Sequence, residues 1–269
     1  MEYIVYNGEV VPAETWQIPH TDRGFRYGDG FFERIVLRSG KLCFWQEHHQ
    51  RILKAAALFA LDIVWSGEEL ADQLLQLAAK HHVSEAKIRM QFWRRGGGLY
   101  TPETNETNSL FSLQPAEDNR FYLEGIHQVG ICDELRKPIH PIFSVKGLHA
   151  MPYVLASLFR KKKGWDEALL LNEAGCLCEA TNANLFLCLQ GKLYTPPLSD
   201  GPLDGVIRAL LLRKGLAKEK TLRPDNLEEA EEIFLTHSSG IRVISQWQGR
   251  QLDIKKAEEC SAYIQSLCS

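Results

Sequence analysis

The chain has 269 residues, long for one compact core and comfortable for two modest domains. Its net charge of −3 lacks the Lys/Arg excess that nucleic-acid binding leaves, so that partner class is not expected. No apolar run approaches the roughly 20 residues that span a bilayer, and no membrane partner is expected either.

The N-terminus carries Glu2 where a signal peptide would carry basic residues, and no apolar segment follows, so a cytoplasmic protein is expected. Tyr3 to Tyr6, Asn7-Gly8 and Glu9 to Val11 read as a strand, a turn and a second strand. Phe31 to Leu37 is a third strand, turning at Ser39-Gly40-Lys41 into Leu42 to Phe44. Ile52, Leu53, Ala56 and Phe59 recur near the 3.6-residue period, which predicts a helix over 45–61; a second covers about 67–82. Strands follow at 87–93 and 109–113. The polar stretch 114–120, with Pro115 and Asn119, is the expected link between a first domain (1–114) and a second (121–269), the linker proper being 115–120. Beyond it, strands are expected at 127–132, 168–172, 184–189, 192–195 and 232–236, and helices at 152–162 and 204–216. Helices grouped rather than strictly alternating with strands argue an α+β fold. The cysteines at 43, 132, 176, 178, 188, 260 and 268 form an odd, scattered set that suits a reducing compartment. Cys176-x-Cys178 has no second pair at metal spacing, so no metal is expected and the cysteines read as structural.

Four segments carry residue types that can do chemistry. Lys146 ends a mostly apolar run, Ile142 to Leu148, read as a strand end leading towards a helix. A desolvated lysine has a lowered pKa and a nucleophilic amine, whereas a lysine at a strand terminus with its head in water does nothing. Glu179 stands between apolar strands, where a buried acid needs a cation; an ordinary turn acid is the other reading. Asp200 to Arg208 is a Gly-bearing loop with Asp204 as an expected N-cap. The helix it opens offers unpaired first amides that suit a phosphate, or is merely a capped helix. Thr236-His237-Ser238-Ser239-Gly240 offers hydroxyls and amides to an anion, or is a plain turn.

Their joint order is more telling. Asp22-Arg23-Gly24-Phe25-Arg26-Tyr27-Gly28-Asp29-Gly30-Phe31-Phe32-Glu33, His49-Gln50-Arg51-Ile52 and Val145-Lys146-Gly147-Leu148 are followed by Glu179-Ala180-Thr181-Asn182-Ala183-Asn184-Leu185-Phe186, Tyr194-Thr195-Pro196-Pro197 and Gly205-Val206-Ile207-Arg208. This series resembles the fold-type IV pyridoxal-phosphate (PLP) enzymes: branched-chain aminotransferases, D-amino-acid aminotransferases and aminodeoxychorismate lyases. The resemblance covers nearly the whole chain. It implies a two-domain fold like that of the D-amino-acid aminotransferases, with PLP in the cleft between the domains, and a homodimer. It implies that Lys146 forms the Schiff base and shuttles the proton, and that Glu179 pairs with the pyridine nitrogen. Arg51, the amides of Val206 and Ile207, and Ser238 would hold the phosphate. Tyr27 would line the substrate side, and Ser238 and Ser239 with Gly240 would take the substrate carboxylate.

The implied reaction moves an amino group between an amino acid, branched-chain-like or other, and a 2-keto acid. Departures keep alternatives open. Ala150 stands four residues after Lys146, near where branched-chain aminotransferases have a tyrosine, and His149 stands where many relatives have Asn. Glu33-Arg34 replace threonines of bacterial lyases, yet Arg94-Arg95-Gly96-Gly97-Gly98-Leu99-Tyr100 resembles the lyases' Gly-rich loop. Arg94 or Arg95 there would meet a dicarboxylate, or end a strand in solvent. A lyase releasing pyruvate and aminobenzoate is therefore the alternative activity, and a PLP-binding protein without turnover is the non-enzymatic one.

Overall fold

The structure, a computed structural model, describes residues 1–117 and 121–267. The chain forms two compact units: Met1–Asn119 with Val145–His149, and Arg120–Ser144 with Ala150–Ser269. Pro115 closes a strand, and residues 118–120 of the expected linker lie outside the described residues. No helix among the described residues is long and apolar enough to cross a membrane.

The first unit holds strands β1 (Tyr3–Tyr6), β2 (Glu9–Pro12), β3 (Gly30–Arg38), β4 (Lys41–Leu42), β5 (Ala86–Arg94) and β6 (Thr107–Pro115). Its helices are α1 (Arg23–Tyr27), α2 (Trp45–Phe59) and α3 (Gly67–Lys80). The strands pair in the order β2-β1-β6-β5-β3-β4, antiparallel throughout. Asn7 and Gly8 both take positive φ, 50° and 90°, as a tight two-residue hairpin requires. A capping box between Ser66 and Glu69 starts α3, whose Leu70, Leu74 and Leu77 form one buried row. That row and Ile52 of α2 cover the sheet face carrying Phe31, Ile35, Leu37, Ile88, Met90 and Phe92. Strand alternation puts Glu33 on this same apolar face, where it needs an internal partner.

The expected strand end at 142–148 is not formed. Pro141–Ser144 is a 3-10 turn, and the following residues lie along an edge of β3. Phe32 N donates to Lys146 O (2.8 Å), Leu148 N donates to Gly30 O (2.9 Å), and Phe31 bridges Gly147. The main chain of Lys146 is thereby tied to the first unit's sheet, which no local pattern in the sequence announces.

In the second unit the strands are β7 (Tyr122–Ile126), β8 (Val129–Lys137), β9 (Glu167–Asn172), β10 (Leu177–Ala180), β11 (Asn184–Leu189), β12 (Lys192–Thr195), β13 (Lys218–Glu219), β14 (Glu232–His237) and β15 (Gly240–Ile244). The helices are α4 (Met151–Lys163), α5 (Val206–Lys214), α6 (Asn226–Glu229) and α7 (Lys255–Leu267). One sheet runs β13-β12-β11-β14-β15-β7 and another β10-β9-β8. The strand expected at 127–132 is β8, which runs on to Lys137, and β7 just before it was not expected; they pair in different sheets, β7 with β15 and β8 with β9, both parallel. Every residue of β9, β10 and β11 is buried, as in strands covered on both faces. Their polar members, Glu167, Asn172, Glu179 and Asn184, must therefore find partners inside the protein. Grouped helices and mixed sheets give the α+β class read from the sequence. Cys43, Cys132, Cys176, Cys178, Cys188 and Cys260 are free and buried; Cys268 lies outside the described residues.

Candidate active site

Within the first unit, Lys146 is half-buried, and its Nζ stands 5.5 Å from the centre of the Phe32 ring. On the core side of β3, Glu33 receives Arg51 Nε at 2.8 Å and a second bond from Nη2, a two-pronged pair that fixes the guanidinium. His48 Nδ1 lies 3.2 Å from the same carboxylate, and its ring is wholly buried. Burial opposes ionisation of Glu33, but Arg51 and His48 outweigh it and hold the carboxyl well below the usual range. Burial pushes His48 down from 6.5 more than Glu33 pulls it up, so the ring is neutral at pH 7.

The sign of the resulting pH dependence follows. Unfolded, His48 takes up a proton as pH falls through about 6.5; folded, it resists until lower pH, so acidification favours the unfolded chain. The melting temperature should fall between about pH 7.5 and pH 5.5. The slope should flatten in His48→Gln, measured by circular dichroism. An unchanged slope in that variant would rule out His48 as the source.

Tyr27 is half-buried, with the Arg23 and Arg26 guanidinium carbons 5.0 and 5.6 Å from its ring centre and the Tyr100 ring at 5.8 Å. Buried Arg23, which the sequence reading passed over, donates to Asp29 (2.7 Å) and to Gly97 O (2.9 Å), holding the glycine-rich loop. Arg94 departs from its expected role. Its Nε faces Asp29 (3.0 Å), Nη1 faces Ala60 O (2.9 Å) and Asn105, and Nη2 faces Phe59 O (2.6 Å). With every guanidinium nitrogen turned to a protein acceptor, Arg94 braces the loop instead of presenting donors to a carboxylate. Arg95 is exposed and paired with Glu106 (2.9 Å). His149 folds back over Gly147, where an added Cβ would lie 2.1 Å from its ring, and packs on Phe59.

In the second unit, Glu179 is 2% exposed and meets three donors. Oε1 takes the ammonium of Lys137, itself wholly buried, and the Tyr153 hydroxyl at 2.7 Å; Oε2 takes Leu203 N at 2.9 Å. A carboxylate offers about four acceptor positions, so Oε2 retains capacity for one more donor. Burial and the Glu179 charge raise the Tyr153 hydroxyl well above its ordinary value, which keeps it a donor. Neither Lys137 nor Tyr153 was expected from the sequence. Tyr153 stands at the start of α4, three residues after Ala150, and Lys137 gave no local signal.

Asp204 is not the cap of α5. The cap is Gly205, with no side-chain bond, while Asp204 faces Arg208 at 3.8 Å. The first amides of α5, Val206 and Ile207 among them, thus receive no capping side chain, which leaves a polarised anion-binding end. Asn184 anchors the approach by donating to Leu203 O (2.7 Å), and a Cβ on Gly205 would lie 1.8 Å from Asn184 Oδ1. Across the ladder from Asn184 stands Thr236, whose buried hydroxyl has no hydrogen-bond partner among the described residues. Ser238 and Ser239 form the turn between β14 and β15, beside His237, whose ring bonds the Tyr122 hydroxyl.

Lys146 lies at a sheet edge of the first unit; the second unit holds the buried Glu179 carboxylate and an α5 end without a side-chain cap. The family model for class IV amino-transferases matches residues 30–247. A Methanocaldococcus jannaschii protein provisionally named a branched-chain-amino-acid aminotransferase is 29% identical over 266 residues, 95% of this chain and 91% of its own. The D-alanine aminotransferase of Staphylococcus aureus strain N315 is 27% identical over 252 residues, 89% of this chain and 86% of its own. A crystal structure of the Thermoproteus uzoniensis branched-chain aminotransferase with norvaline superposes with a TM-score of 0.85 at 22% identity, covering 99% of this chain and 95% of that one. The chain belongs to the class IV aminotransferase family, whose enzymes depend on PLP.

Proposed function

We propose that this enzyme uses PLP, held by Lys146, to move an amino group between an amino acid and a 2-keto acid. The observation that carries the reading is Glu179: a buried carboxylate with three donors in place and acceptor capacity left on Oε2 for a protonated pyridine nitrogen. The orphaned Thr236 hydroxyl and the uncapped end of α5 fit the phosphate of the same cofactor.

When bound, PLP supplies an electron sink for the substrate carbanion. Lys146 would contribute the amine that holds the cofactor, and its Nζ is the group that would remove and return the substrate's α-proton. Glu179 would accept from the ring nitrogen, with Lys137 Nζ and the Tyr153 hydroxyl holding the carboxylate in place. Arg51, the amides of Val206 and Ile207, and Ser238 take the phosphate. Tyr27 lines the substrate side, and Ser238 and Ser239 receive the α-carboxylate. The lyase alternative rested on Ala150 and on the Arg94 to Tyr100 loop; four of the five Arg94 N–H donors meet protein acceptors, and Arg95 pairs with Glu106, which favours transamination. The resemblance also supports a cytoplasmic homodimer, and the exposed apolar row Met151, Val154, Leu155 and Leu158 on α4 supports a face covered by a second copy.

The test is titration with PLP followed by a panel of L- and D-amino acids. Visible absorbance should develop on loading and bleach with an amino-donor, then return with a keto acid. No response to any amine would overturn the reading. Arg51→Ala should raise the PLP Kd roughly tenfold to hundredfold, the worth of a charge-assisted hydrogen bond. It also strands Glu33 in the core, which destabilises the protein by about 3–5 kcal/mol. Adding Glu33→Gln should restore the melting temperature but not the affinity. Recovery of both would leave Arg51 a purely structural residue.

A further inference from the structure

Among the described residues, five antiparallel strand pairs are joined by two-residue turns. Asn7-Gly8, Ser39-Gly40, Gln190-Gly191 and Gln248-Gly249 take positive φ at both positions, which matches the twist of the strands they join. The fifth turn, Ser238-Ser239 between His237 and Gly240, takes negative φ at both. A turn of that kind splays its strands, so groups outside the loop backbone have to hold it. Two residues do. Ser239 N donates to His237 Nδ1 at 3.3 Å, and Tyr122 N donates to Ser239 O at 3.2 Å. The Tyr122 hydroxyl also bonds Nε2, the far ring nitrogen of His237, and the two ring centres are 5.3 Å apart. Tyr122 stands opposite Gly240 in the β7–β15 ladder, and a Cβ on Gly240 would lie 2.6 Å from the tyrosine ring. Glycine at 240 is what admits that ring to the turn.

A backbone amide can only donate, so His237 Nδ1 accepts and bears no hydrogen. The neutral ring then carries its hydrogen on Nε2 and gives it to the Tyr122 oxygen. Burial, and after it the Glu124 carboxylate, raise the Tyr122 hydroxyl above its ordinary value, so it stays un-ionised beside the ring. Both backbone polar groups of Ser239 are occupied in this way. The Ser238 and Ser239 hydroxyls have no hydrogen-bond partner among the described residues and remain for a ligand. We infer that His237, oriented by Tyr122, is a positioning residue that holds the Ser238-Ser239 turn in the shape that receives the substrate's α-carboxylate. This rests on the reading of Ser238 and Ser239 as the receivers of that carboxylate. An aliphatic residue at 237 would release the Ser239 amide and let both hydroxyls move. Asparagine would keep the turn, because its side-chain oxygen accepts from the amide two residues on.

The experiment compares valerate with valeramide, a carboxylate and its neutral amide, binding to the PLP-loaded enzyme by calorimetry. The parent protein should bind valerate about tenfold more tightly; equal affinity overturns the inference. His237→Leu should weaken valerate about tenfold and Tyr122→Phe about threefold to tenfold, the worth of one neutral hydrogen bond, with valeramide changed less than about twofold. His237→Asn should stay within about twofold of the parent. With the amino donor that the parent turns over fastest, His237→Leu should raise KM about tenfold and lower kcat less than about threefold, since a carboxylate is gripped alike before and during reaction. A merely structural histidine would lower the melting temperature and leave the valerate affinity of the folded protein unchanged, and that result overturns the positioning role. So does asparagine as weak as leucine, or a parallel loss of PLP affinity, which would assign the turn to the phosphate. Should His237→Leu not fold, Tyr122→Phe and His237→Asn decide, the first weakened and the second close to the parent. The visible absorbance on PLP loading is read first in each sample. Its absence from the parent strikes the aminotransferase reading, whereas its presence with unchanged valerate affinity in the variants strikes the positioning role alone.

Discussion

Replacing Lys146 by alanine should abolish turnover while leaving the fold intact. Proton transfer by a well-placed group contributes about 10²–10⁴-fold, and in the proposed reading Lys146 is also the covalent anchor, so a loss of at least about 10⁴-fold is expected. The structure explains why folding should survive. Lys146 is half-buried, and its segment is held by main-chain bonds, Phe32 N to Lys146 O and Leu148 N to Gly30 O, which alanine keeps. The variant should retain the parent's circular dichroism and melting temperature within a few degrees. It should bind PLP without the visible absorbance of the lysine-bound form. A folded variant with full turnover would move the reacting amine elsewhere.

Lys137→Met should destabilise the protein severely. Lys137 is wholly buried and Glu179 is 2% exposed, so removing the cation leaves a carboxylate in the core with only the Tyr153 hydroxyl and Leu203 N. Breaking a buried pair on one side costs about 3–5 kcal/mol. At roughly 2–4 °C per kcal/mol for a chain of this size, the melting temperature should fall by about 10 °C. The double variant Lys137→Met/Glu179→Gln should recover most of the loss, because it removes the unpaired charge. The cycle of single and double variants measures that coupling directly. A single variant melting with the parent would mean that Glu179 does not depend on Lys137.

Much of the local structure is written in the sequence. Asn7-Gly8 specifies its hairpin because few residue pairs accept two positive φ angles. The apolar run 184–189 is β11 to the residue, and the 3.6-residue period around Ile52 and Ala56 is α2. The family blocks around Lys146, Glu179 and Gly205 were legible too, as an ordered series. Even the need of Glu179 for a cation could be argued from its apolar flanks alone.

What the sequence could not show is which groups meet. Glu179 finds Lys137 across 42 residues, Glu33 finds Arg51 across 18, and Arg94 finds Asp29 across 65. His237 finds Tyr122 across 115 residues only because β15 pairs β7 in one register. Local signals read a few residues either way, through turn geometry, capping and period. An ion pair or a ring contact of this kind depends on sheet order and register, which are set by how apolar faces are buried along the whole chain. The sequence by itself therefore determined most of the elements and the family, and it singled out Lys146 as the candidate reacting lysine. Only the tertiary structure decided that Arg94 is a brace, that Asp204 leaves the end of α5 uncapped, and that Lys137 holds Glu179, because each outcome rests on which distant donor or acceptor folding brings within about 3 Å.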